Sequence, residues 1–95
     1  VWVTRTADDG TTWAKPTEVT AAVKKPGWTW YATGPGNGIQ TKSGRLVVPC
    51  DSKSGPGGKV REAHVIVSDD GGATWRLGGV AGPDCNESAV AERAD

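Results

Sequence analysis

The chain is poor in several residue types, and each scarcity narrows what it can be. It has no Phe, no Met, one His and two Cys among 95 residues, and its formal net charge is zero. Balanced charge gives no long-range attraction to nucleic acid, and no apolar run is long enough for a membrane span. A single His gives little support for a zinc site. Two Cys are too few for a disulfide framework, so we expect Cys50 and Cys85 to be free, partly buried thiols.

What the chain does contain is Gly, Pro and Trp. It has 14 Gly, 6 Pro and five Trp, and most of the Gly and Pro residues fall in clusters. This composition favours many short strands joined by tight turns over long helices. The first residues already alternate like a strand, and the last ones follow a strand-like segment directly. We therefore expect the sequence to be an internal piece of a longer protein.

Two octapeptides, residues 6–13 and 68–75, share the pattern S/T-x-D-x-G-x-T-W. Each follows one strand-like run and precedes another, which predicts a hairpin turn. In such a turn the Asp carboxylate accepts backbone N–H groups, the Gly allows a positive φ, and the Trp ring covers the hairpin. We interpret both copies as structural turns, built on Asp8, Gly10 and Trp13 in the first and on Asp70, Gly72 and Trp75 in the second.

The strand-like runs between residues 38 and 77 predict one four-stranded blade of a β-propeller. They are residues 38–41, 45–50, 64–68 and 74–77. Residues 51–59 are predicted to form a polar loop and residues 78–83 a Gly-rich linker. The residues before the blade would give two strands of the preceding blade, and residues 88–92 the first strand of the next. Pro35 and Pro49 are expected at strand boundaries, where a missing N–H is tolerated.

Four stretches of the chain resemble the bacterial-type exo-α-sialidase (neuraminidase) family with Asp-box (BNR) repeats. Residues 28–40 are similar to its W-x-W-Y-x-x-G-P-G-x-G-I-Q stretch, and residues 44–51 to its G-R-L-V-V-P-C-D segment. Residues 64–70 resemble its H-V-I-Y-S-D-D, and residues 86–88 its N-E-S. The order and spacing agree along nearly the whole chain.

The resemblance implies an all-β fragment of a six-bladed β-propeller, with residues 1–95 as a partial domain. It also implies a hydrolase that removes terminal sialic acid from glycoconjugates with retention, uses no cofactor, and takes sialylated glycans as partners. The family uses three Arg, an Asp acid/base and a Tyr nucleophile paired with a Glu. Only the Glu has a counterpart here, Glu87. Tyr31 stands in the wrong motif to be the nucleophile. We therefore expect the chain alone to be inactive. Separately, we expect the parent protein to be secreted or periplasmic.

Strand alternation places Glu87 independently of the resemblance. If both Asp-box turns lie at one end of the blade, the loops at residues 34–37, 51–62 and 78–87 lie at the other. Glu87 then begins an inner strand near the propeller axis, where an active site is expected. Asp51 would border the same pocket as a substrate-binding residue.

Several alternatives remain open from the residues alone. The parent could be a non-catalytic Asp-box propeller that binds glycans or proteins, because Asp-boxes also occur in propellers without activity. Trp28, Trp30 and Tyr31 could stack on sugars, but packing between blades is the preferred interpretation. His64 is interpreted as a hydrogen-bonded core residue.

Overall fold

The computed structural model describes residues 1–94 and is organised around one antiparallel sheet. The elements in chain order are β1 (Trp2–Val3), β2 (Thr17–Glu18), α1 (Thr20–Val23), β3 (Trp30–Thr33), β4 (Ile39–Gln40), β5 (Leu46–Ser54), β6 (Val60–Ser68) and β7 (Arg76–Ala81). β1 and β2 pair with each other, and the other five strands form the main sheet. The helical residues described are the single turn α1 and a 3-10 turn at Pro56–Gly58. The all-β prediction is confirmed.

The innermost strand position of the blade is occupied by two short strands in succession. β3 pairs with residues 50–53 of β5, and β4 pairs with residues 46–47 of the same strand. β6 and β7 follow on the other side, each antiparallel to its neighbour. The blade therefore begins at Trp30, eight residues before the start predicted from sequence. The loop predicted for residues 34–37 at one end of the blade is wrong, because the chain continues there from β3 into β4 without reversing direction.

Pro49 lies inside β5, so its predicted place at a strand boundary is wrong. Its carbonyl accepts a hydrogen bond from the Gly34 N–H at 2.8 Å. The amide and carbonyl of one strand residue point toward the same neighbour, so the missing N–H of Pro49 falls opposite the gap between β3 and β4. The sheet tolerates this proline because no ladder hydrogen bond is lost there.

Three other boundaries differ from the sequence predictions. The polar loop predicted for residues 51–59 is strand as far as Ser54, because β3 and β6 both pair with that stretch. The linker predicted for residues 78–83 is strand as far as Ala81, which pairs with Ala63. Residues 88–92 form no ladder and make one isolated parallel bridge, between Ser88 and Pro35.

The two faces of the main sheet carry different residues and are named here after one residue of each. On one, which we call the Val23 face, Cys50 and Ile66 form a buried cluster with Val23, and Val1, Val19 and Leu77 pack against it. Val23 comes from α1, so the β1–β2–α1 unit covers this face. The other, the Asp51 face, carries Trp30, Asp51 and Ala63, because these residues alternate with the first set along their strands.

The two octapeptides fold into turns with the same hydrogen bonds. In the second turn the Gly72 N–H donates to Ser68 Oγ at 2.9 Å and the Thr74 N–H donates to Asp70 Oδ1 at 2.8 Å. The Trp75 indole donates to the Gly72 carbonyl at 3.0 Å. Gly72 has φ +92, and its hydrogen faces the Trp75 ring, leaving room for the indole to pack.

The first turn repeats every one of these contacts. Thr6 Oγ1 accepts from the Gly10 N–H at 2.9 Å, Asp8 Oδ1 accepts from the Thr12 N–H at 2.8 Å, and the Trp13 indole donates to the Gly10 carbonyl at 3.1 Å. Gly10 also has a positive φ, +85. In both turns the carboxylate of the shared Asp accepts its hydrogen bonds from within the turn, which supports a structural role for the Asp-box residues.

We expect Asp70→Ala to destabilise the fold and to make its melting temperature depend less on pH in the acid range. Hydrogen bonds from Thr74 and Ser68 lower the pKa of Asp70 from 3.8 to about 2. A carboxyl with a depressed folded-state pKa stabilises the fold above its unfolded pKa, and that contribution disappears as the pH falls from about 4 to about 2. Thermal unfolding between pH 7 and pH 2 should show a lower melting temperature for the variant at pH 7 and convergence with the parent near pH 2.

Asp9→Asn is the matched control. Asp9 has φ +53, which Asn tolerates, and its side chain takes no part in the hydrogen bonds that hold the first Asp-box turn. Equal melting temperatures for Asp70→Ala and the parent at neutral pH would contradict the structural role of the turn.

Candidate functional site

The segment after β7 returns to the inner edge of the blade. Ser88 bridges to Pro35, and the Lys42 N–H donates to Glu92 Oε2 at 2.9 Å. A Cβ on Gly36 would lie 3.4 Å from the Ala89 Cβ, so the glycine allows the two backbones to approach. The segment thus runs beside the β3–β4 position, where the first strand of a following blade was predicted.

Glu87 lies at the start of this segment, immediately before the Ser88 bridge. It is exposed and has no hydrogen bond or ion pair within residues 1–94. Its carboxylate is close enough to Asp51 to influence that residue's ionisation. The two side chains that the sequence analysis singled out for the pocket therefore interact electrostatically.

Asp51 lies in the middle of β5, between Ala32 of β3 and Ala63 of β6. Only 3% of its surface is exposed. Burial raises the pKa of Asp51, the negative charge of Glu87 raises it further, and Lys53 opposes both effects. Burial and a nearby negative charge both disfavour the ionised form of a carboxyl group, which is the physical reason for the raised pKa of Asp51.

Tyr31 and His64 lie on the opposite face of the sheet from Asp51. With Trp28 they form an aromatic cluster on the Val23 face, with ring centroids 4.6 Å apart for Trp28 and His64 and 4.9 Å for Tyr31 and His64. Burial raises the pKa of the Tyr31 phenol well above its ordinary value. The geometry separates Tyr31 from Glu87, in agreement with its exclusion as a nucleophile.

His64 is a core residue, but its predicted hydrogen bonding is wrong for the part of the chain described. It is 3% exposed, and neither ring nitrogen has a hydrogen-bond partner within residues 1–94. Burial and the nearby charge of Lys25 lower its pKa to about 4, so the imidazole is neutral at pH 7. Cys50 is free and buried, and Cys85 is free and partly exposed.

Sequence reasoning missed two cations near Asp51 on the same face of the sheet, Lys53 and Arg61. Lys53 lies opposite Trp30 on β3 and opposite Arg61 on β6. Its ammonium group lies 4.9 Å from the centre of the Trp30 ring, and 43% of the Trp30 surface is exposed. Because the composition of residues 51–59 predicts a loop, the register that places these side chains together could not be deduced.

Comparison with known proteins identifies the family. The family described as BNR repeat-like domain matches residues 1–95. The chain belongs to this BNR repeat-like family. It is 36% identical over 88 residues to a sialidase of Bacteroides fragilis, covering 93% of this chain and 16% of that protein. It is 47% identical over 49 residues to an exo-alpha-sialidase of Aspergillus fumigatus, covering 52% of this chain and 12% of that protein.

A solved structure shows the same fold for this BNR repeat-like chain. The Hadza microbial sialidase Hz136 superposes with a TM-score of 0.81 at 34% identity, over 90% of this chain and 16% of that structure. These similarities confirm the resemblance to sialidases and the assignment to part of a β-propeller. The chain spans about one sixth of the length of these relatives.

Within residues 1–94 of the BNR repeat-like chain, no helix has the length and apolar character needed to cross a membrane. The described His, Cys, Asp and Glu side chains form no cluster of three or more able to hold a metal ion.

Proposed function

We propose that this chain is a partial propeller domain, residues 1–95, of an exo-α-sialidase that removes terminal sialic acid from glycoconjugates with retention. The observation that carries the proposal is the position of Glu87. It is an exposed carboxylate at the head of the segment beside the inner strand, in a chain similar to sialidases over more than nine tenths of its length. Sialylated glycans are the proposed substrates, and no cofactor is required.

Glu87 is proposed to act as the base for a Tyr nucleophile supplied elsewhere in the parent protein. A phenol has an ordinary pKa near 10, so its anion is scarce at neutral pH. A carboxylate within hydrogen-bond distance accepts the phenolic proton as the oxygen attacks the anomeric carbon. The bond from that carbon to the leaving-group oxygen breaks at the same time, and the acid/base Asp that the resemblance implies protonates this oxygen, so the aglycone departs as an alcohol. A neutral Tyr also avoids the repulsion that a carboxylate nucleophile would meet from an anionic sugar. The resulting glycosyl–enzyme bond is then cleaved by water, which gives retention.

Asp51 is proposed to line the same pocket from below Glu87. Its burial and the neighbouring negative charge raise its pKa. Its oxygens can accept hydrogen bonds from sugar hydroxyls, and the carboxyl gains an O–H donor whenever it is protonated. The two Asp-boxes are proposed to hold the hairpins at the far end of the blade and to take no part in the chemistry.

The test is the activity and stereochemistry of the full-length parent. Hydrolysis of an aryl α-sialoside, followed by proton NMR, should show the α-anomer of sialic acid appearing first. Release of the β-anomer first would refute retention. Absence of turnover together with binding to sialylated glycans would replace the enzyme with the non-catalytic Asp-box propeller.

A further inference from the structure

The Asp51 face carries a cationic and aromatic group next to the proposed pocket. We call it the Lys53 group, and it consists of Trp30, Lys53 and Arg61. Lys53 follows Asp51 by two residues on the same strand, so their side chains leave the same face of the sheet about 6.5 Å apart along it. The group therefore lies one step from Asp51 toward the hairpin at residues 55–59.

Two like charges oppose each other in the Lys53 group. Lys53 and Arg61 are direct cross-strand partners, and such pairs have Cβ atoms about 4.5–5.5 Å apart. Like charges in this position destabilise a sheet. Neither residue belongs to an ion pair in residues 1–94, where the salt bridges join Asp69 to Arg45 and to Arg76. Asp51 offsets the charge of Lys53 in part, since the two interact electrostatically.

The backbone beneath the group is held in place. The Lys53 carbonyl accepts the Thr29 N–H at 2.8 Å and the Thr29 hydroxyl at 3.4 Å. A Cβ on Gly58 would lie 3.7 Å from the Lys53 Cβ, so the hairpin folds against the lysine stem. Trp30 adds a partly exposed flat ring beside the ammonium group. Fixed cations with an adjacent aromatic surface match the chemistry of an anionic pyranose.

From this arrangement we propose that the Lys53 group is a subsite for an anionic substituent on the sugar next to the sialic acid that is cleaved. This inference rests on the proposed sialidase function. The anion lies between Lys53 and Arg61, relieves their mutual repulsion, and places the sugar ring against Trp30. The shared chemistry is a carboxylate or a sulfate on the adjacent pyranose, supplied by a second sialic acid or by a sulfated sugar.

The experiment compares kcat/KM of the full-length parent on three substrates. They are α2,8-linked disialyllactose, a sialyllactosamine sulfated on its inner sugars, and 3′-sialyllactose, whose inner sugars are neutral. The parent should prefer at least one anionic substrate over the neutral one. The double variant Lys53→Gln/Arg61→Gln should lower that ratio by about 3- to 10-fold, as expected for two exposed ion pairs. The preference of the parent should also weaken as salt is added.

Lys42→Gln is the control for loss of a lysine charge away from the Lys53 group, because Lys42 lies in the turn between β4 and β5 at the far end of the sheet. It should keep the parental ratio. The anionic substrate that is preferred identifies the source of the anion.

Three outcomes would overturn the subsite. One is an equal preference in the parent and the double variant. Another is a lower melting temperature in the double variant at an unchanged ratio, which would assign the cations to an ion pair within the parent protein. Absence of turnover on all three substrates would overturn the sialidase proposal and the subsite with it. The first two results leave the sialidase proposal standing, so the failures are distinguishable.

Discussion

Replacing Glu87 by Gln in the full-length parent should lower kcat by about 10²–10⁴-fold, the usual contribution of a general base. The amide keeps the size and polarity of the side chain and removes its ability to accept the phenolic proton. Glu87 is exposed and forms no hydrogen bond within residues 1–94, so the substitution breaks no internal contact of the described chain. KM should change much less than kcat, because the resemblance assigns the substrate carboxylate to Arg residues elsewhere.

The measurement is steady-state kinetics on an aryl sialoside, with folding checked by circular dichroism. Glu62→Gln is the matched control, since Glu62 lies on the Val23 face of the sheet, opposite Ser52, and should retain parental kcat. A Glu87→Gln enzyme with near-parental kcat would show that Glu87 is not the base.

The 95-residue chain by itself should show no turnover of a fluorogenic sialoside above the buffer level. The resemblance places the three Arg, the acid/base Asp and the Tyr nucleophile of the family outside this sequence. The one tyrosine present, Tyr31, has its hydroxyl buried on the Val23 face, and burial raises its pKa. A phenol in that position has neither access to substrate nor contact with Glu87.

The purified chain and its Glu87→Gln variant should be assayed side by side at high protein concentration. Equal traces in the two samples would identify a contaminating enzyme. Turnover that survives repurification and is lost in the variant would contradict the prediction and would place a complete catalytic centre in this chain.

Features fixed by local chemistry were predictable from the sequence. The Asp-box turns have their signature within eight residues, and each residue type has one local role. Asp70 accepts N–H groups, Gly72 takes a positive φ, and Trp75 packs back on the glycine. Counting strand reversals predicted the end of the blade for Glu87 from the hairpins alone, although the chain does not reverse at residues 34–37 and residues 88–92 form no ladder. The bridge between Ser88 and Pro35 agrees with that count.

Features fixed by pairing between distant strands were not predictable. Residues 51–54 have a loop-like composition, yet they are strand because β3 and β6 supply ladder partners on both sides. Residues 30–33 stand out in the sequence only as part of a motif, and their strand exists because β5 extends far enough to pair with them. The Lys53 group depends on that register, so no local pattern indicated it. The core position of His64 was predictable, but the missing partners of its nitrogens depend on what lies around it in three dimensions.

The division of the innermost strand into β3 and β4 has a consequence for how this propeller can diverge. Each half keeps its own register on a separate stretch of β5, so residues inserted between Gly34 and Gly38 would slip neither register. Ser88 and Ala89 lie against this gap, next to Glu87. Insertions and deletions here would therefore change the wall beside the carboxylate while the sheet stays the same.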